Sequence, residues 1–159
     1  MVTVRRADTD DTPLLVALMA EFYAESEFSL DRQWASDSFS ALLGDDAKGA
    51  VWIAFRDGEP TGYVVLTLRH SMEYGGPDAF IDDLYVRPAH RRQGLGREAL
   101  SALFAECARR GVLAVHVEAG RSNAAAQALY RSFGLDVFDA ARQLLTVRLQ
   151  GREQGHLSS

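Results

Sequence analysis

One cysteine, Cys107, leaves no partner for an intrachain disulfide and fits a reducing cytoplasm. No apolar run approaches the roughly 20 residues that a membrane-spanning helix needs, and the acidic stretch after Arg6 is unlike a signal peptide. Basic residues are outnumbered: 17 Lys and Arg face 22 Asp and Glu, for a net charge of −5. Nucleic acid is therefore disfavoured as a partner, because phosphate binding needs a basic footprint. The four histidines are not spaced as metal ligands with any Cys or Asp pair, so no metal is expected. Repeats, low-complexity tracts and linkers are missing as well, and 159 residues make one domain over about 1–149. A polar tail, 150–159, is expected to be disordered.

What is present is a regular alternation of strand and helix patterns. Val2–Arg6 reads as a strand, and Leu15, Leu18, Met19 and Phe22 mark a helix from about Thr9 to Ala24. A second helix over Asp31–Leu43 has Asp31 as its N-cap. Ala50–Phe55 and Gly62–His70 read as strands joined through Asp57-Gly58, a hairpin signal. Ala79–Val86 is a strand ended by Pro88, and Gly94–Arg110 is an amphipathic helix stopped by Gly111. A strand over Val112–Glu118, a helix over Ser122–Phe133 and a last strand over about Gln143–Leu149 complete the pattern. The class is α/β with a mixed sheet.

The segment Arg91-Arg92-Gln93-Gly94-Leu95-Gly96 opens the strongest helix. A helix N-terminus offers unpaired N–H groups and positive partial charge, glycines let phosphate oxygens approach, and Arg91, Arg92 and Arg97 add charge. This is machinery for a diphosphate. Gly-Lys-Ser/Thr is missing, so a Walker A loop is excluded. Gly94 to Ala99 satisfies the dinucleotide pattern G-x-G-x-x-A, with Glu118 placed where a ribose-binding acid would stand. Against it, the strand ends too early, Pro88 and two arginines intervene, and too little chain follows to complete a doubly wound sheet.

Arg91-x-x-Gly94-x-Gly96 resembles the Q/R-x-x-G-x-G/A signature of the GNAT acetyltransferases, as does the strand Ile81 to Pro88 before it. A second motif follows in order: Asn123-Ala124-Ala125-Ala126, Leu129-Tyr130, then Phe133-Gly134-Leu135. The resemblance implies a GNAT fold with a mixed, mostly antiparallel sheet of six to seven strands and about four helices. It implies an acetyl-CoA-dependent N-acyltransferase of the EC 2.3.1 type, cytoplasmic and with room for a homodimer. By the same resemblance the backbone of Leu84, Tyr85 and Val86 pairs with the pantetheine arm. Amides of Arg92, Gln93, Gly94, Leu95, Gly96 and Arg97 cradle the pyrophosphate behind Arg91, and Asn123 touches the cofactor arm.

The chemistry then needs a proton acceptor and a donor. A lysine-like amine with pKa near 10.4 costs roughly 4.6 kcal/mol to deprotonate at pH 7. A tyrosine keeps a proton for the departing thiolate, and the resemblance assigns that role to Tyr130. Two carboxylates compete as base. Val117 to Tyr130 resembles the ribosomal-protein N-terminal acetyltransferases, where the residue matching Glu118 is the base. Asp82 matches an acidic residue of the diamine acetyltransferases. Glu118 is preferred, with Asp82 next, and Asp82 and Asp83 are expected on opposite faces of their strand. The Arg-x-x-Tyr-Tyr signature of the ribosomal-protein enzymes is missing after Leu135. A short loop and acidic strand point instead to a small amine, with Glu73 and Tyr74 near the acceptor. The alternatives are an acyl-CoA-sensing module without transfer activity, a protein N-terminal or lysine acetyltransferase, and an enzyme acting on charged tRNA.

Overall fold

The computed structural model describes residues 1–150; the expected tail beyond Gln150 lies outside the described residues. Five strands, β1 (Val2–Arg6), β2 (Gly49–Arg56), β3 (Glu59–Ser71), β4 (Gly76–Val86) and β5 (Val115–Val117), form one sheet in chain order. The pairs β1–β2, β2–β3 and β3–β4 are antiparallel, and β4–β5 is parallel. Four α-helices flank it: α1 (Thr12–Glu25), α2 (Arg32–Leu43), α3 (Leu95–Arg109) and α4 (Ala124–Ser132).

Alternation along the strands sorts the side chains into two cores. Val51, Ile53, Tyr63, Val65 and Tyr85 pack with Leu15, Leu18 and Phe39 of α1 and α2. Their neighbours Ala50, Trp52, Val64, Leu66 and Ile81 pack with Leu100, Leu103 and Cys107 of α3 and with Tyr130 of α4. Central strands covered on both faces are uniformly apolar for this reason, as in Ala50–Ala54. Local signals act as expected: Asp31 accepts from the Trp34 N–H at 3.0 Å, and Asp57 and Gly58, with φ of 50° and 82°, make the primed turn of the β2–β3 hairpin. Cys107 is buried, and burial lifts its thiol to about 11, so it packs rather than reacts.

Three expectations are corrected. The sheet has five strands among the described residues, not six or seven. Gln143–Leu149 forms no strand, and Leu144, Leu145, Val147 and Leu149 stand 78–88% exposed. The strand expected over Val112–Glu118 is paired only from Val115 to Val117. In each case the valines and leucines carry the propensity, but a strand needs a neighbour to meet its backbone groups.

A fourth correction concerns Asp82 and Asp83. Val65 pairs with Asp83 and Leu66 with Ile81, so Asp82 is an extra residue, a β-bulge. The extra residue resets the alternation, and both carboxylates line the same cleft, on the α1–α2 face.

Candidate active site

The loop between β4 and α3 is shaped by backbone alone. Arg92 and Gly94 take left-handed conformations, with φ of 62° and 84°. Gly94 is the N-cap of α3, and no side chain caps that helix. As a result none of the six consecutive N–H groups from Arg92 to Arg97 has a hydrogen-bond partner among the described residues. Unpaired N–H groups at the positive end of a four-turn helix are the kind of donor set that suits an anion.

The two glycines serve different purposes. A Cβ on Gly94 meets open space, so its role is the left-handed turn; a Cβ on Gly96 falls 3.1 Å from Leu129 Cδ2, so its role is to let α4 lie close to α3. The arginines also divide. Arg91 donates through Nε to the Val86 carbonyl at 2.8 Å and pairs with Glu25 of α1 at 2.6 Å, bracing the loop. Arg97 donates to Ser132 Oγ at 3.1 Å and lies over the Phe133 ring. Arg92 has no ion-pair partner among the described residues.

Beside the nest the sheet opens. β5 accompanies β4 only as far as Ile81, and the bulge follows at once. Leu84, Tyr85 and Val86 therefore run without a strand on the β5 side. The Tyr130 hydroxyl, buried in the α3–α4 core, has no hydrogen-bond partner among the described residues. Burial, and secondarily the charge of Asp83, push its pKa well above the ordinary tyrosine value. Asn123 is the N-cap of α4, its Oδ1 accepting from the Ala126 N–H at 3.2 Å.

On the other face lies a cleft of about 490 Å³, bordered by Tyr23, Trp34, Lys48, Thr67, Asp82 and Asp83. Its size suits a small ligand. Asp83 accepts a hydrogen bond from the Tyr63 hydroxyl at 3.1 Å. Burial, then the neighbouring Asp82, push Asp83 up to about 7, against the opposing pull of that hydrogen bond. Burial raises Asp82 as well. A carboxyl that titrates near neutrality can both hold and release a proton at physiological pH.

Sequence reasoning missed Asp83 because it assumed unbroken alternation. In the structure Ile81 and Leu84 both face the α3–α4 core, which the extra residue between them allows. The other expected residues are dispersed. Glu118 is exposed one residue past β5. Glu73 pairs with Arg142 at 2.9 Å, and Tyr74 borders a second groove beside His116 rather than the acidic cleft. No group of three or more metal-ligating side chains occurs among the described residues, and none of their helices is long and apolar enough to cross a membrane.

The sheet thus loses its outer strand beside an uncapped helix N-terminus, and a pair of carboxylates lines a cleft on the α1–α2 face. The model of the acetyltransferase (GNAT) family matches residues 12–135, and the chain belongs to that family. An integron cassette protein from the mobile metagenome of Cole Harbour Salt Marsh is 40% identical, with a TM-score of 0.84 over 94% of this chain and 91% of that one. The ribosomal protein bS18-alanine N-acetyltransferase of Escherichia coli K12 is 44% identical over 59 residues, which span 37% of this chain and only 40% of that enzyme. An aminoglycoside acetyltransferase from an uncultured soil metagenomic sample, solved with sisomicin, shares the fold at 22% identity and a TM-score of 0.71, covering 96% of this chain and 97% of that one.

Proposed function

We propose that the chain moves the acetyl group of acetyl-CoA directly to a small primary amine. The observation that carries the acceptor half is the bulge, which brings Asp82 and Asp83 together in one cleft. Two carboxylates there attract an ammonium group, and the volume of about 490 Å³ matches a small molecule better than a folded protein terminus.

The residues present fit the donor. Six unpaired amides from Arg92 to Arg97 match a pyrophosphate, and Leu84–Val86, with no strand on the β5 side, leave room for an amide-bearing arm. The orphaned Tyr130 hydroxyl is a buried donor awaiting a polar partner. When bound, acetyl-CoA supplies an acetyl group activated as a thioester. Asp83, poised near pH 7, takes the proton of the incoming ammonium at a carboxylate oxygen. Asp82, nearer the mouth, holds the cation while that proton leaves. Tyr130 remains protonated throughout the physiological range and presents its proton for the departing sulfur. Glu118, in the open beyond β5, is the second candidate for base.

The aminoglycoside and ribosomal-protein enzymes among the similar proteins show how wide the acceptor range of this fold is. Screening polyamines, aminoglycosides, amino-acid amines and peptide N-termini for release of free CoA tests the reading. Turnover confined to small amines is expected. Turnover of an alanine-terminated peptide alone would replace it with a protein N-terminal enzyme, and CoA binding without any turnover would replace it with a sensor.

A further inference from the structure

Among the residues that border the acidic cleft, Lys48 carries charge of the opposite sign. It stands immediately before β2. It is also the only lysine in the sequence, every other Lys or Arg position being arginine. Its backbone is held on both sides: the N–H donates to the Asp45 carbonyl at 3.0 Å, and the carbonyl accepts from the Leu68 N–H at 2.9 Å. The side chain is exposed, and among the described residues its ammonium has no ion-pair partner. Arginines near the site are committed elsewhere, Arg87 to Glu21, Arg91 to Glu25 and Arg69 to Asp78.

Strand register explains why this cation does not neutralise the carboxylates. Lys48 lies level with Leu68 on one side of β3, and Asp83 pairs with Val65 on the other. Three residues along β3 and two strand spacings across it separate their α-carbons by roughly 14 Å. The four-carbon stem of lysine and the short side chain of aspartate do not close that span. Val65 and Thr67 lie between the two ends, and Met19, Trp34 and Leu42 add apolar walls. The cleft is therefore negative at one end, positive at the other and apolar in the middle.

We propose that the acceptor is an ω-amino acid, with a primary amine at one end, a carboxylate at the other and a short apolar chain between them. The proposal rests on the small-amine reading above and narrows it. The amine enters at Asp82 and Asp83, the carboxylate pairs with Lys48, and the methylenes lie against Trp34 and Leu42. Lysine suits the far end because it is a point charge on a flexible stem, which reaches carboxylates at more than one distance. A diamine would set its second ammonium against Lys48, and a plain alkylamine would leave Lys48 unpaired. An α-amino acid is too short: its carboxylate lies beside its amine, where Asp82 and Asp83 repel it.

Three acceptors of equal chain length test this: δ-aminovalerate, pentylamine and cadaverine, which end in carboxylate, methyl and ammonium. In the parent protein kcat/KM is expected to be highest for δ-aminovalerate and lowest for cadaverine, in steps of about fivefold, the upper range for a solvated ion pair. Lys48→Met is expected to erase the advantage of δ-aminovalerate over pentylamine, and Lys48→Glu to place cadaverine first. The Lys48 side chain is exposed, so both variants are expected to melt with the parent protein. Equal turnover of the three acceptors by the parent protein would overturn the proposal and leave the small-amine reading intact. Calorimetry supplies a readout that does not depend on turnover. δ-Aminovalerate is expected to bind the parent protein in the presence of CoA, and to bind Lys48→Glu more weakly. No binding, or equal binding to both, would overturn the proposal even where the chain acetylates other amines.

Discussion

At the residue scale, the proposed reaction rests on two groups whose environments drive their pKa values apart. Tyr130 is buried without a partner and keeps its proton, whereas Asp83 sits at the middle of the working pH range. Replacing Tyr130 by Phe removes one oxygen from a site with no hydrogen bond to lose. The fold is therefore expected to survive while kcat falls by about 10²- to 10⁴-fold, with acetyl-CoA affinity unchanged by calorimetry. Unaltered kcat would exclude Tyr130 as the proton donor. Asp83→Asn is expected to abolish the limb of the kcat/KM profile that rises through pH 7, leaving Glu118→Gln to retain it. The reverse pattern would move the base to Glu118. The same carboxyl also bears on stability. Its folded pKa is raised, so the stabilisation it contributes is complete below about pH 4 and is lost as pH rises through about 7. Thermal melts at pH 5 and pH 8 should then differ more in the parent protein than in Asp83→Asn.

At the scale of elements, the packing of α4 on α3 carries Tyr130 to its place. Gly96 permits that approach, since a Cβ there falls 3.1 Å from Leu129 Cδ2. Gly96→Ala is expected to displace α4 by a fraction of an ångström. It should lower kcat more than it raises the KM for acetyl-CoA, because the free amides of the loop remain. A variant that changes only that KM would show the glycine serving the phosphate instead. Much of this was legible in the sequence. The loop announces itself by its glycines, arginines and the helix after it, and α2, α3 and α4 by their caps and periodicity. What was not legible depended on counting residues against a partner strand. The bulge at Asp82 is a property of two strands together, and no pattern within one of them records the slip. The shortfall in β5 and 143–149 has the same origin: valine and leucine propensity predicts extension, but pairing is decided by what lies alongside.

At the scale of the whole molecule, the sheet separates two jobs. The α3–α4 face holds the anion nest and Tyr130, and the α1–α2 face holds the carboxylates and the cleft. Each face has its own core, and the central strands contribute alternate residues to both. The β4–β5 split is where the two communicate, and Asp83 is the group felt on both sides, acting on Tyr130 from one and on Tyr63 and Tyr23 from the other. Salt bridges from Arg87 to Glu21 and from Arg91 to Glu25 tie α1 to the far end of β4 and to the loop. The cleft therefore keeps its position relative to the donor side.

This division has a consequence for how such a chain diversifies. Substitutions in Trp34, Ser38, Leu42 or Thr67, which border the cleft, share no core with α3 or α4. Energies of well-separated, unconnected sites add, so such substitutions recombine freely with any version of the donor half. On the proposed function, new acceptors are sampled one pocket residue at a time without altering the donor side. A gene carrying this fold is in that sense a ready chassis, its handle constant and its bit interchangeable.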